Sequence, residues 1–189
     1  MSKVRWGIIG TGSIANAFAH SIKHCNHSEL IAVFGRNKET LQIFSQKFDV
    51  TGINDIEELV SSNEIDAIYI ATPHSSHFEY ALQAIKNNKH VLCEKPIAMN
   101  HIESMVLFGL AKDHGVFLME AYMYRTHPQT FNILKNIESL CDTNEKVEIN
   151  ASFGFHAEIP KDHRLRNPML GGGAIMDVGC YPLSMSKLL

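Results

Sequence analysis

The feature that most constrains this chain is a five-fold alternation of continuous apolar runs with amphipathic helical patterns. The runs are 4–10 (VRWGIIG), 29–35 (ELIAVFG), 66–73 (DAIYIATP), 89–95 (KHVLCEK) and 116–121 (VFLMEA). Apolar spacing between them predicts helices over 14–24, 38–48, 77–88 and 101–115, and a short one over 55–62 capped by Asn54. Lys112 and Gly115 suit the C-terminus of the fourth long helix. Strands that are apolar throughout are buried on both faces, so the pattern predicts an α/β fold, a doubly wound parallel sheet covered by helices. In that architecture ligands sit at the carboxyl ends of the strands. The run 91–96, VLCEKP, places Glu94, Lys95 and Pro96 at such an end.

The first run leads into GIIGTGSIANAF, with Gly10, Gly12 and Ala15 in the G-x-G-x-x-A arrangement. Gly10 permits a tight turn, Gly12 lets a pyrophosphate approach bare backbone, and Ala15 allows the helix to pack close to the strand. The helix N-terminus adds unpaired N–H groups and the positive end of its dipole. The pattern follows a strand and opens a helix, the context a dinucleotide site requires. Thr11, Ser13 and Ile14 complete the candidate cofactor contacts of the loop. The second strand ends in Phe34-Gly35-Arg36-Asn37, with no acid to bind ribose hydroxyls. Arg36 can pair with a 2′-phosphate, which favours NADP and leaves NAD possible. Glu39 is expected in the first turn of the next helix.

After about residue 128 the pattern changes. A helix is expected over 130–141, then a half-buried antiparallel strand in 146–157, where Val147, Ile149, Ala151 and Phe153 alternate with polar residues. A polar loop, the triple glycine 171–173 and a helix from about 174 follow. One such strand makes no sheet. The expected division is therefore a Rossmann domain over 1–124 and an incomplete substrate and oligomerisation domain over 125–189, truncated at its C-terminus.

Composition excludes other classes. Hydrophobic residues make up 45% and the net charge is −3, so there is core material and no basic surplus for nucleic acid. No window reaches the roughly 18 apolar residues of a membrane span. The four cysteines, Cys25, Cys93, Cys141 and Cys180, lie far apart without a CxxC pair, which suits reduced thiols and a cytoplasmic location. His20, His24 and His27 have metal-like spacing, but they fall at the far end of the first helix, where a solvated C-terminus accounts for them. No metal is expected.

Five ordered segments together are specific: GIIGTGSIA, IATPHSSH, KHVLCEKP, MEAYMYRTHP and GGGAIMDVGCYP. They resemble the glucose–fructose oxidoreductase / inositol dehydrogenase / rhizopine catabolism (Gfo/Idh/MocA) family over essentially the whole chain. The resemblance implies an N-terminal Rossmann domain and a second domain with a mainly antiparallel sheet that often forms the oligomer interface, hence a homo-oligomer for the full-length form. It places Lys95 beside nicotinamide and substrate, with Pro96 in a cis peptide bond. Thr72, Pro73 and His77 become cofactor contacts, as does Glu94 through the ribose; His74 is less determined, and a turn capped by Ser75 or Ser76 is the alternative. Asp177 matches the family aspartate, or else caps the helix after the glycines. Tyr181 stands where many relatives carry the catalytic histidine; a tyrosine there resembles the branches that include glucose–fructose oxidoreductase and dimeric dihydrodiol dehydrogenase, which implies tyrosine as the acid/base. A phenol with pKa ~10 is a weak base at neutral pH, and a cation such as Lys95 would stabilise its phenolate. Arg125 and His127 are either near the active site or in a structural salt bridge, and Arg164 is a candidate substrate contact. The implied activity is hydride transfer with NADP on a sugar, polyol or trans-dihydrodiol. The alternative is a non-catalytic dinucleotide sensor or regulator on the same scaffold.

Overall fold

Parallel pairing puts the carboxyl ends of the apolar runs side by side. In the computed structural model, which describes residues 3–140 and 148–189, six strands form one sheet: β1 (Val4–Ile9), β2 (Ser28–Phe34), β3 (Thr51–Ile53), β4 (Ala67–Ile70), β5 (His90–Glu94) and β6 (Leu118–Ala121). Their order is β3-β2-β1-β4-β5-β6. The pairs β1–β2, β1–β4, β2–β3 and β4–β5 are all parallel. The order reverses between β1 and β4, the switch point where a dinucleotide crevice opens in this topology. Five helices connect the strands: α1 (Ser13–Ile22), α2 (Lys38–Phe48), α3 (Ile56–Ser61), α4 (His77–Lys86) and α5 (His101–His114). The doubly wound α/β expectation is met.

Burial follows the apolar runs. All four residues of β4 are buried, as are Ile8 and Ile9 of β1. They pack with Leu59, Val60, Ile85 and Leu107 from the helices. Each such side chain contributes roughly 1.5–3 kcal/mol by leaving water. Gly115 closes α5 in the left-handed region at φ 65°, after Lys112 and His114 in its last turn. Asn37 caps α2 by accepting from the Thr40 amide at 3.0 Å, and Glu39 lies in the first turn as expected. One local expectation is corrected. The cap of α3 is Asp55, whose Oδ1 accepts from the Glu57 amide at 3.0 Å, rather than Asn54. The strand β3 also had no signal, because Thr51-Gly52-Ile53 is too short to show a period.

The amino ends of the strands carry the ion pairing. Arg5 donates to Asp66 at 2.7 and 3.0 Å, and its amide donates to the same carboxylate at 2.9 Å. Held chiefly by that side-chain bond, Asp66 titrates at about 2. Lys89, buried nearby, donates to the Ser62 and Ile65 carbonyls at 2.6 and 2.9 Å, and burial pushes its pKa down.

Contacts divide the chain into Met1–Glu120 and Ala121–Leu189. The second unit holds α6 (Pro128–Leu140), a π-helical turn at Ile175–Gly179 and α7 (Cys180–Leu188). The helix expected to Cys141 ends within the described residues at Leu140; Cys141 and Val147 lie outside them. Residues 148–157 form no strand, which corrects the expectation for Ile149, Ala151 and Phe153. A half-buried strand needs a ladder partner for its amide and carbonyl groups, and the described residues contain none there. Among the described residues, no helix is long and apolar enough to cross a membrane.

Candidate functional site

The glycine loop joins β1 to α1 at the switch point. Gly10 has φ 117°, and a Cβ there would lie 2.5 Å from the Ala71 carbonyl oxygen, so no other residue fits. Gly12 differs. Its φ is −74°, and a Cβ would meet nothing within 4 Å. Open space lies over bare backbone, as a phosphate site needs. Gly12 is also the N-cap of α1 and makes no side-chain cap bond, and the first helical hydrogen bond runs from the Asn16 amide to the Gly12 carbonyl at 3.0 Å. The amides of Ser13, Ile14 and Ala15 precede that bond and form the free end of the helix dipole. Ala15 is fully buried, whereas Ile14 keeps 36% of its surface exposed at the mouth of the loop.

Two residues that shape this loop had no sequence signal. Asn16 donates from Nδ2 to the Thr11 and Gly12 carbonyls at 3.2 and 3.0 Å, and its Oδ1 accepts from Lys47 at 2.8 Å. The Thr11 and Thr40 hydroxyls lie 3.0 Å apart, tying the loop to α2. Beside them Gly35 sits so close that a Cβ would lie 2.9 Å from the Thr11 methyl. Arg36 follows, exposed at the carboxyl end of β2, as a 2′-phosphate ligand must be.

At the end of β4 the Ser76 hydroxyl lies 2.9 Å from both the Thr72 hydroxyl and the Pro73 carbonyl. Ser76 is the N-cap position of α4, yet its side chain points back to the strand end and caps nothing. His74 is 4% exposed and His77 0% exposed. His77 was expected to touch the cofactor. It is fully buried, and both ring nitrogens lie 2.8 Å from backbone carbonyl oxygens.

The turn after β5 is held at several atoms. Tyr69 donates from its hydroxyl to Glu94 Oε1 at 2.5 Å, and the Lys95 amide donates to Glu94 Oε2 at 3.3 Å. The Lys95–Pro96 peptide bond is cis, as the resemblance implied. The Ile97 amide donates to Glu120 Oε1 at 2.8 Å. Lys95 is half-buried. Gly10–Ile14, Arg36, Thr72 and Lys95 therefore share one edge of one sheet, and the shifted groups Asp66 and Lys89 lie at the opposite edge. Perturbed titration here marks an ion-pair network rather than the site.

In the second unit, Asp177 lies in the π-helical turn and Tyr181, the second residue of α7, follows four residues later, so both fall on one face. The Tyr181 ring packs edge-on against Tyr122 and Phe153, with centroids 5.4 and 5.2 Å away. Gly172 admits no Cβ, which would lie 2.7 Å from the Arg164 and Asn167 carbonyls. Arg164 itself is exposed. Arg125 donates to the Ser184 hydroxyl at 2.9 Å and lies over the Tyr122 ring, so it anchors its own turn. His127 accepts from the Gln129 amide at 3.1 Å. The rings of His20 and His24 lie 5.1 Å apart, and among the described residues no group of three or more metal-ligating side chains converges.

Comparison with known proteins agrees with this geometry. Residues 4–122 match the model of the Gfo/Idh/MocA family, described as an oxidoreductase family with an NAD-binding Rossmann fold. The chain is 31% identical to a D-xylose 1-dehydrogenase (NADP(+)) of Haloferax volcanii, over 97% of this chain and 56% of that one. It is 34% identical to a trans-1,2-dihydrobenzene-1,2-diol dehydrogenase of Xenopus tropicalis, over 94% and 54%. Among solved structures, the 3-ketoreductase KijD10 of Actinomadura kijaniata, in complex with NADP and TDP-benzene, superposes with a TM-score of 0.87 at 28% identity. That match covers 99% of this chain and 57% of the other. The chain thus spans about half the length of the relatives it matches.

Proposed function

The chain belongs to the Gfo/Idh/MocA oxidoreductase family, and from that premise we propose NADP-dependent hydride transfer at a carbinol or carbonyl carbon of a sugar, polyol or trans-dihydrodiol. The carrying observation is the convergence of the Gly10–Ile14 loop, Arg36, Thr72 and Lys95 on one edge of the sheet. The site fits the cofactor: space over Gly12, a helix N-terminus with free amides, and a guanidinium where a 2′-phosphate would end. When bound, NADP supplies the hydride acceptor or donor, and the protein supplies orientation and electrostatics.

In this reading the amides of Ser13 and Ile14 hold the pyrophosphate. Arg36 holds the 2′-phosphate, Thr72 and Pro73 flank the nicotinamide end, and Glu94 accepts from a ribose hydroxyl. Lys95 polarises the reacting oxygen, and Tyr181 takes or gives the proton. Asp177 orients the substrate hydroxyl. The NADP and sugar or dihydrodiol specificities named for the relatives support this substrate class. A cytosolic location suits the described cysteines, Cys25, Cys93 and Cys180, all free thiols. A homo-oligomer is part of the same proposal.

The test is Lys95→Met in protein carrying a complete substrate domain, assayed with NADP against aldoses, inositols and trans-dihydrodiols. Turnover should fall by well over tenfold, about 1.4 kcal/mol, while NADP affinity changes little. Turnover surviving within tenfold would refute the role.

A further inference from the structure

His77 is the first residue of α4 and is fully buried. Its Nε2 lies 2.8 Å from the Thr72 carbonyl oxygen and its Nδ1 lies 2.8 Å from the Pro96 carbonyl oxygen. A carbonyl oxygen can only accept, and a neutral imidazole has one N–H and one bare lone pair. A neutral ring here would satisfy one carbonyl and press its lone pair against the other. An imidazolium donates to both. We propose that His77 is a positioning residue, protonated at both ring nitrogens, which clamps the carboxyl ends of β4 and β5 together. It thereby fixes Lys95 and the Thr72 side chain toward the cofactor. Its consequence for catalysis rests on the reading of Lys95 above.

The surroundings weigh both ways. Glu94 and Lys95 precede Pro96, Glu120 on β6 holds the next amide, at Ile97, and the His74 ring lies 5.7 Å away. On α4 itself Glu79 lies in the first turn. The carboxylates favour a cation at His77, while Lys95 and the helix N-terminus oppose it. Burial, chiefly, raises the pKa of the Cys93 thiol well above the usual value, and the nearby Glu94 and Glu120 carboxylates add to the rise. Two charge-assisted bonds to otherwise buried carbonyls supply the remaining preference for the charged form. The strut explains why these two carbonyls face inward. With them fixed, the strand ends that carry Thr72, whose hydroxyl is held by Ser76 at 2.9 Å, and Lys95 are held in register.

Ring 15N spectra of the 189-residue chain, with histidines labelled, test the claim without any activity. Near pH ~7.5 the His77 ring should show two protonated nitrogens, each with a slowly exchanging N–H, while the solvent-exposed histidines are largely neutral. His77→Gln identifies the signal by its loss. A His77 ring with one bare nitrogen at that pH overturns the proposal, whether or not the variant folds. In a folded His77→Gln protein the Ile97 amide should exchange with solvent at least about tenfold faster, because the turn loses its bond at the Pro96 carbonyl. Unchanged exchange there also overturns it. In the complete enzyme, His77→Gln should lower kcat about tenfold with KM for substrate changed less than about threefold. If Lys95→Met proves active, the Lys95 reading fails, but the ring spectrum and the Ile97 exchange still decide the clamp.

Discussion

Two glycines two residues apart should respond to the same substitution in opposite ways. At Gly10 an alanine would hold φ 117° and put its Cβ 2.5 Å from the Ala71 carbonyl oxygen, a separation real Cβ atoms essentially never show. Backbone strain of about 1–3 kcal/mol and overpacking of about 1–3 kcal/mol then add to roughly 2–6 kcal/mol. That is a large share of the roughly 5–15 kcal/mol that keeps a domain folded. In thermal unfolding it corresponds to a fall of about 5–20 °C. At Gly12 the backbone sits at φ −74° and a Cβ meets nothing within 4 Å. Gly12→Ala should change Tm little, since the gain of about 0.4–1 kcal/mol from restricting the unfolded chain is offset by a comparable loss of N-cap preference. The space it fills is the space proposed for the pyrophosphate, so NADPH affinity should fall at least about tenfold, or ~1.4 kcal/mol. Paired unfolding curves and fluorescence titrations measure both. A Gly12→Ala protein that binds NADPH as tightly as the parent would refute the assignment of that space. A Gly10→Ala protein of parental stability would refute the steric argument.

Other outcomes follow from the same geometry. NADPH should bind more tightly than NADH, and Arg36→Ala should narrow the gap by about tenfold in paired titrations, ~1.4 kcal/mol; equal affinities in the parent would defeat the assignment. The Asp66 carboxyl has a folded pKa of about 2 against an ordinary 3.8, so its contribution to stability is complete above pH ~4 and is lost as pH falls toward 2. Both side chains of the pair are 37% exposed, so screening limits that contribution to about 1 kcal/mol. Denaturant midpoints between pH 5 and 2 should therefore drop less for Asp66→Asn than for the parent.

The sheet was legible because burial on both faces writes itself as continuous apolar runs, and β4 is buried along its whole length. Lys95 was legible as a charge where a buried strand stops, and Gly10 and Gly12 as a spacing. What escaped has physical reasons. β3 is three residues and carries no period. Asn16 and Thr40 support the loop through contacts 29 and 31 residues apart along the chain, between Thr11 and Thr40 and between Lys47 and Asn16, which no local pattern encodes. His77 looks like a ligand in sequence because a histidine near a strand end is chemically suggestive, whereas its full burial and its two carbonyl partners carry no sequence signal. The alternation from Ile149 to Phe153 resembles a strand, yet alternation states which face a strand would bury, not whether a partner exists to bury it against.

The central claim is that the carboxyl edge of the sheet, and no other surface, receives the dinucleotide. Backbone amide shifts of the 15N-labelled chain during NADPH titration test it most directly. Gly10, Gly12, Ser13, Ile14, Arg36, Thr72 and Lys95 should move together along one saturating curve, while Arg5, Asp66 and Lys89 at the opposite edge stay still. Saturating shifts centred on that opposite edge, or none in the glycine loop, would contradict it.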